Sequence, residues 1–206
     1  MIAEASRHWE GVYGSKTFEE VSWYQPVPER SLLHIREAVS SHDAAIIDVG
    51  GGASTLVDHL LDAGFEDVTV LDISGNALQQ ARDRIGPRAN AVKWVVADVR
   101  AFSPDRAYSV WHDRAVLHFL TDAADRARYV KVLEQAVSPG GSLVLSTFGP
   151  DGPLKCSGLE IRRYDVDMLT ELLGARFELQ SYELENHETP GGARQQFLYT
   201  CWTKTA

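Results

Sequence analysis

Ile46-Ile47-Asp48-Val49-Gly50-Gly51-Gly52-Ala53-Ser54 is the stretch on which the reading of this chain turns. An apolar run ends in an acidic residue and three glycines follow. Ser54 or Thr55 then stands ahead of Leu56, Val57, Leu60 and Leu61, apolar residues at helical spacing. That order predicts a buried strand over residues 44–48, a tight turn, and a helix capped by Ser54 or Thr55 and ended by Gly64. Glycines between a strand and a helix let the backbone approach a ligand closely, and the free N–H groups of the helix start favour an anion. The dinucleotide fingerprint G-x-G-x-x-G is met only in part: Gly50 and Gly52 fit its first two glycines, but Thr55 occupies the third position. The loop alone therefore points to a nucleotide-like ligand at a strand end.

Outward from the loop, strand and helix patterns alternate. Residues 68–71 read as a second strand closed by Asp72. Ser74 caps a helix with Ala77, Leu78, Ala81 and Ile85 on one side, stopped by Gly86-Pro87. Residues 92–97 read as a third strand ending at Asp98, and residues 108–111 as a fourth ending at His112-Asp113. A helix begins at Thr121 or Asp122, Pro139-Gly140-Gly141 turns the chain, and residues 142–147 form a fifth strand. Such alternation implies a parallel sheet with helices on both faces. The flanks differ. Residues 1–40 hold an aromatic segment (Trp9, Tyr13, Phe18, Trp23, Tyr24) and then a helix with Pro28 in its first turn. Residues 149–206 hold a Gly/Pro-rich loop, a helix from Asp165, and two strands over 177–184 and 196–202 that suggest a closing antiparallel hairpin. The chain reads as a single domain over residues 1–206, with its core at 44–148.

Two further acids sharpen the ligand. Asp72 closes the second strand about 20 residues past the glycines, where a carboxylate can accept from both ribose hydroxyls. Asp98 closes the third strand, where a carboxylate can accept from an adenine amino group while apolar neighbours hold the ring. In an open α/β sheet the strand ends converge on one crevice, so Asp48, Asp72 and Asp98 are expected together.

On these residues the chain resembles the class I S-adenosylmethionine-dependent methyltransferases. Asp48, Gly50 and Gly52 match the family's acidic residue followed by G-x-G-x-G, with Ser54 in place of the last glycine. Asp72 matches its ribose-binding acid and Asp98 its adenine-contacting acid, with Ile73 and the Val99 backbone beside them. Ser138-Pro139-Gly140-Gly141 resembles its usual approach to the fifth strand. The resemblance implies a Rossmann-like three-layer α/β sandwich whose seven-stranded, mostly parallel sheet has the order 3-2-1-4-5-7-6, strand seven antiparallel. It also implies S-adenosyl-L-methionine as cofactor and S-adenosyl-L-homocysteine as product. Thr55, with Ser54, falls in the expected cofactor site.

The acceptor side is sketched more lightly. Trp111-His112-Asp113-Arg114 runs off the fourth strand, and in the family this part of the chain faces the methionine end of the cofactor. His112 and Asp113 are candidates to hold the cofactor's amino group; the plainer reading has Asp113 capping a short helix and pairing with Arg114. His118, one helical turn on, is the candidate base and substrate neighbour, with an intrinsic pKa near the working range. The aromatics Trp9, Tyr13, Trp23 and Tyr24 suggest a lid whose faces suit a sulfonium or a cationic substrate. Trp9 and Tyr13 equally suit packing of the entry helix onto the sheet, and residues 22–26 read as a loop over the site. Cys156 is a candidate pocket residue, and Arg162 a candidate partner for a substrate carboxylate or a solvated surface residue.

Composition narrows the partners. The 206 residues are 44% hydrophobic and 24% charged, which suits one folded α/β domain rather than a disordered chain. A net charge of −9 disfavours a nucleic-acid substrate. The two cysteines lack metal-like spacing, so no metal site is expected. No signal peptide or membrane-spanning run is read, which makes the expected location cytoplasmic. The oligomeric state is left open. The function expected is methyl transfer by in-line displacement to a small-molecule S, O or N nucleophile. A protein lysine or arginine acceptor is the alternative. A nicotinamide-dependent oxidoreductase or a non-catalytic cofactor-binding protein stands further off.

Overall fold

The computed structural model describes residues 2–206, with side chains from Glu4 onward. The chain opens with helix α1 (Ile2–Ser15) and, after an irregular stretch, α2 (Glu29–Ala38). The alternating section follows: β1 (Ile46–Val49), α3 (Leu56–Asp62), β2 (Val68–Asp72), α4 (Gly75–Ile85), β3 (Val92–Val96), β4 (Tyr108–Arg114), α5 (Ala123–Ala136) and β5 (Val137–Phe148). Beyond it lie a short hairpin, β6 (Lys155–Cys156) and β7 (Leu159–Glu160), helix α6 (Val166–Leu173), and the long hairpin of β8 (Phe177–Glu188) and β9 (Arg194–Lys204).

Seven strands form one sheet in the order β3-β2-β1-β4-β5-β9-β8, and β6–β7 is separate. The first five are parallel, and β9 runs antiparallel to both β5 and β8. Numbered within the sheet alone, this is the expected 3-2-1-4-5-7-6 with the seventh strand reversed. All four residues of β1 are buried because helices cover both faces. Ile46 packs toward α2, α3 and α4, among Leu32, Ile35, Leu56, Leu60 and Leu78. Ile47 and Val49 point the other way, toward α5 and α6, among Tyr129, Leu133, Leu169 and Leu173. The two-residue alternation of a strand thus feeds two separate cores.

Three features depart from the sequence reading. α1 is a helix where only an aromatic segment was expected. Ala5, Trp9, Val12 and Tyr13 do recur at helical spacing, but Gly11 and Gly14 each cost about 1 kcal/mol of helix propensity, so α1 depends on docking. It docks through Glu10, whose carboxylate accepts from Ser74 Oγ (3.2 Å), the Gly75 amide (2.6 Å) and the Asn76 amide (3.2 Å) at the start of α4. Gln80 adds bonds to the Tyr13 and Lys16 carbonyls (2.7 and 2.9 Å). β4 continues through Arg114, further than the apolar run suggested. The Pro139-Gly140-Gly141 turn is absorbed into β5 as a bulge: Tyr108 pairs with Val137, but Val110 pairs with Ser142.

Candidate functional site

The sheet order reverses between β1 and β4, and a cavity of about 180 Å³ lies beyond the carboxyl ends of the strands at that point. One end is bordered by Gly50, Asp72, Ile73, Asp98 and Val99, and the other by Trp9, Trp23, Arg114, Phe119 and Cys156. A smaller hollow beneath residues 23–28 adjoins it and is lined by Tyr24, Gly51, Ser54, Thr55 and His112.

The glycine loop shapes the first end. Gly50 and Gly52 hold φ of +68° and +45°. A Cβ on Gly50 would sit 2.0 Å from Val116 Cγ2, and one on Gly52 would sit 2.8 Å from Asp72 Oδ2. The loop therefore needs glycine for its backbone angles and for space. Asp48 supports it from below. Its Oδ1 lies 2.7 Å from His112 Nδ1, and His112 Nε2 lies 2.8 Å from Ser31 Oγ on α2. The register that sets Asp48 opposite His112 in neighbouring strands makes this buried pair. Ser54 Oγ accepts from the Leu56 amide at 3.1 Å, capping α3, while Thr55 Oγ1 donates to the Gln25 carbonyl at 2.8 Å and ties the N-terminal segment to the loop.

The two strand-end acids differ electrically. Burial, then the charges of Asp48 and Glu10, push Asp72 up to about 7, against a bond from the Ser74 amide. Asp98 is also penalised by burial, but bonds from the Arg100 side chain and amide outweigh that and hold it below the usual carboxylate range. Arg100 is itself shared with Asp125. Asp98 is thus a fixed anion, and Asp72 a carboxylate whose charge changes near neutrality. Both border the cavity, and together they suit a ligand with hydroxyl and amino donors.

The comparisons agree with this donor set. A family model described as a methyltransferase domain matches residues 46–141. Nodulation protein S of Rhizobium tropici is 30% identical over 142 residues, covering 69% of this chain and 58% of that protein. Malonyl-[acyl-carrier protein] O-methyltransferase 2 of Ilyobacter polytropus is 23% identical over 140 residues, covering 67% of this chain and 52% of that protein. The chain therefore spans a little over half the length of these two relatives. N-methyltransferase NodS from Bradyrhizobium japonicum, solved with S-adenosyl-L-homocysteine, shares the fold with a TM-score of 0.67 at 16% identity, over 86% of this chain and 87% of that one.

Residues 46–141 thus match a methyltransferase domain, and the chain shares its fold with solved S-adenosylmethionine-dependent methyltransferases. At the first end the glycine loop has no room for side chains, and Asp72, Ile73, Asp98 and Val99 border the same space, a lining compatible with a nucleoside-type cofactor.

At the other end of the cavity the structure corrects several expectations. Asp113 is fully buried, with Oδ1 accepting from the Val116 amide (2.9 Å) and Oδ2 from the Tyr129 hydroxyl (2.7 Å). Burial pushes it up to about 6. It caps a short turn and does not border the cavity. Arg114 does not pair with it, because neighbours on a strand point to opposite faces. His118 is also fully buried, its Nδ1 accepting from the Phe148 amide at 3.3 Å and its ring 4.5 Å from those of Phe119 and Phe148. Burial, then the charge of Arg114, lower it to about 3. It is a neutral core residue rather than a base facing substrate. The helical turn expected between Arg114 and His118 is absent, since Ala115 takes φ +76° and a 3-10 turn follows over Leu117–Phe119. That kink presents Phe119 to the cavity in place of His118. Arg162 stacks over Tyr164 and borders a separate hollow between α5 and α6. His112 supports Asp48 and borders only the smaller hollow.

Other expectations gain a geometry. Trp23 forms a cavity wall with Trp9, 5.7 Å between rings, and donates from Nε1 to the Tyr13 hydroxyl at 3.2 Å. Tyr24 turns away, its ring 5.8 Å from Phe18. Cys156 borders the cavity because Ser157 and Gly158, at φ +51° and +79°, make a two-residue hairpin turn. Burial pushes its thiol up to about 11 against the pull of Arg114, so it stays protonated near neutrality. Trp9, one of the lid aromatics, borders the cavity, whereas Phe119 and Arg114 do so without having been expected there; for Phe119 its aromatic side chain is the one local signal.

Proposed function

We propose that this protein transfers a methyl group from S-adenosylmethionine to a small-molecule nucleophile by in-line displacement. The observation that carries this reading is the single cavity that joins a cofactor-type end, with Asp72 and Asp98, to a second end closed by aromatic side chains from α1 and the segment after it. When bound, the cofactor supplies a methyl carbon already activated by the sulfonium. The chain's own residues then have three tasks. Asp72 and Asp98 accept hydrogen bonds from the ribose and adenine. The glycine loop, held by the Asp48–His112–Ser31 bonds, sets the depth of the site. Trp9, Trp23 and Phe119 exclude water and restrict the approach of the acceptor, so alignment supplies most of the rate.

A small acceptor is favoured because α1, held to α4 by Glu10 and Gln80, lends Ala5, Trp9 and Tyr13 to the wall of a cavity of only about 180 Å³. Of the proteins named above, one is an O-methyltransferase and another an N-methyltransferase, so they differ on the acceptor atom. Calorimetry tests the donor half of the reading. S-adenosyl-L-homocysteine is expected to bind at micromolar affinity, about −8 kcal/mol, with NAD inert. Binding of NAD in its place would overturn the reading.

A further inference from the structure

We propose that the acceptor is a small thiol, methylated as its thiolate, and that Arg114 is the residue that binds this anion. The inference rests on the methyltransferase reading above and narrows it.

Arg114 is the charge that separates the two ends of the cavity. Of the other charged side chains on its wall, Asp72, Asp98 and Arg100 gather at the cofactor end, and Arg100 is already committed to Asp98 and Asp125. Arg114 stands with Trp23, Phe119 and Cys156 at the opposite end, its guanidinium 4.4 Å over the Phe197 ring. Its bonds go to neutral oxygens, Nε to the Tyr199 hydroxyl (3.0 Å) and Nη1 to the Trp23 carbonyl (3.1 Å). Nη2 is buried and has no partner, and among the described residues no carboxylate pairs with the guanidinium. A part-buried cation without a counter-ion beside an apolar cavity favours an anionic guest.

The same surroundings sort the nucleophiles. An amine arrives as an ammonium, which Arg114 repels, and neither His118 nor Asp113 reaches the cavity to take its proton. An alcohol stays protonated beside a single cation. A carboxylate arrives charged but is a weak nucleophile. A thiol starts near 8.5, and a neighbouring arginine brings it into the neutral range. Its large, weakly hydrated anion also suits walls of indole, phenyl and thiol. Cys156 reports the direction of the field, since Arg114 pulls its pKa down even though burial prevails. In the reaction the thiol's proton leaves to solvent. The sulfur lone pair forms the bond to the methyl carbon, and the bond from that carbon to the donor sulfur breaks with its electron pair staying on the donor. The products are a thioether and S-adenosyl-L-homocysteine.

The test uses four probes of one shape: benzyl mercaptan, benzylamine, benzyl alcohol and benzoate. The titratable groups around Arg114 are Cys156 of β6, His118, Tyr199 of β9, and His187 of β8 with Glu185 near it. Wild type is expected to methylate the mercaptan in preference to the other three. Arg114→Gln should lower kcat/KM for the mercaptan at pH 7 about 10- to 100-fold and move its pH–rate profile alkaline by about one pH unit, with partial recovery in Arg114→Lys. A purely structural role for Arg114 would leave the midpoint of that profile in place. Calorimetry with S-adenosyl-L-homocysteine on the same preparations separates the two readings. If wild type binds it but methylates benzylamine, or none of the four, the thiolate assignment falls and the donor reading stands. If Arg114→Gln abolishes that binding, Arg114 belongs to the donor's site and the assignment falls. If wild type does not bind it, both fall.

Discussion

The two ends of the cavity are built in opposite ways. The cofactor end uses residues near the tips of consecutive strands, with Asp48 one residue before the end of β1, Asp72 closing β2 and Asp98 just past β3. The sheet's own register brings them together. The acceptor end takes Trp9 from α1, Trp23 from the segment after it, Arg114 from β4, Phe119 from a 3-10 turn and Cys156 from a separate hairpin. No single element positions these residues. The first end is specified locally, whereas the second depends on how α1 and β6–β7 pack over the sheet. That contrast teaches where a fold of this kind can vary its substrate without disturbing its cofactor.

The largest effect should come from Gly50, at the turn of the locally specified end. Gly50→Ala forces a Cβ into Val116 at φ +68°. Left-handed backbone alone costs about 1–2 kcal/mol. Loss of measurable S-adenosyl-L-homocysteine binding in calorimetry and a Tm lowered by several degrees are expected; near-normal binding would show that the loop is not the cradle.

Asp72→Asn should come next, with effects of opposite sign on binding and stability. Losing charged hydrogen bonds of about 1.5–3 kcal/mol weakens S-adenosyl-L-homocysteine binding some 10- to 150-fold. Because Asp72 sits at about 7 when folded, above its value in the unfolded chain, its protonation stabilises the fold at low pH. That contribution is lost as pH rises through about 7. The variant should therefore gain Tm over wild type at pH 8 and not at pH 4, while wild-type binding weakens below pH 7 and the variant's does not. Calorimetry and thermal melts across pH check both halves.

Glu10→Gln probes the adaptable end. Its carboxylate caps α4, a role worth about 1 kcal/mol, or some 2–4 °C of Tm for a chain of this size. Loosening α1 should raise KM for the acceptor more than it changes affinity for S-adenosyl-L-homocysteine. Equal losses would mean that the two ends are not separable. Smallest of all, Arg162→Ala should leave kcat, KM and Tm within error, since its guanidinium lies over Tyr164 away from the cavity. A raised KM would restore it to the acceptor site.

The cofactor end was legible in advance because its determinants are short-range. An apolar run, an acid and glycines specify strand, tip and turn within about ten residues, and alternation makes the next acids converge. The acceptor end resisted for physical reasons that can be named residue by residue. His118 looked like a base because its spacing from Arg114 is helical, but the left-handed Ala115 breaks that spacing and turns His118 under Phe148. Asp113 and Arg114 looked like a pair, but a strand sends neighbours to opposite faces. Cys156 and Trp23 stand out by residue type and by their place in loops near the strand ends, and their cavity positions rest on a hairpin turn and on Tyr13.

The sequence by itself determined the sheet, its order through resemblance, and the glycine turn between β1 and α3, because backbone hydrogen bonding and glycine sterics act locally and leave few alternatives. Only the tertiary structure decided which side chains line the other end of the cavity. That choice depends on burial and on packing between segments far apart in the chain, and these separate Arg114, which borders the cavity, from Asp113 and His118, which do not.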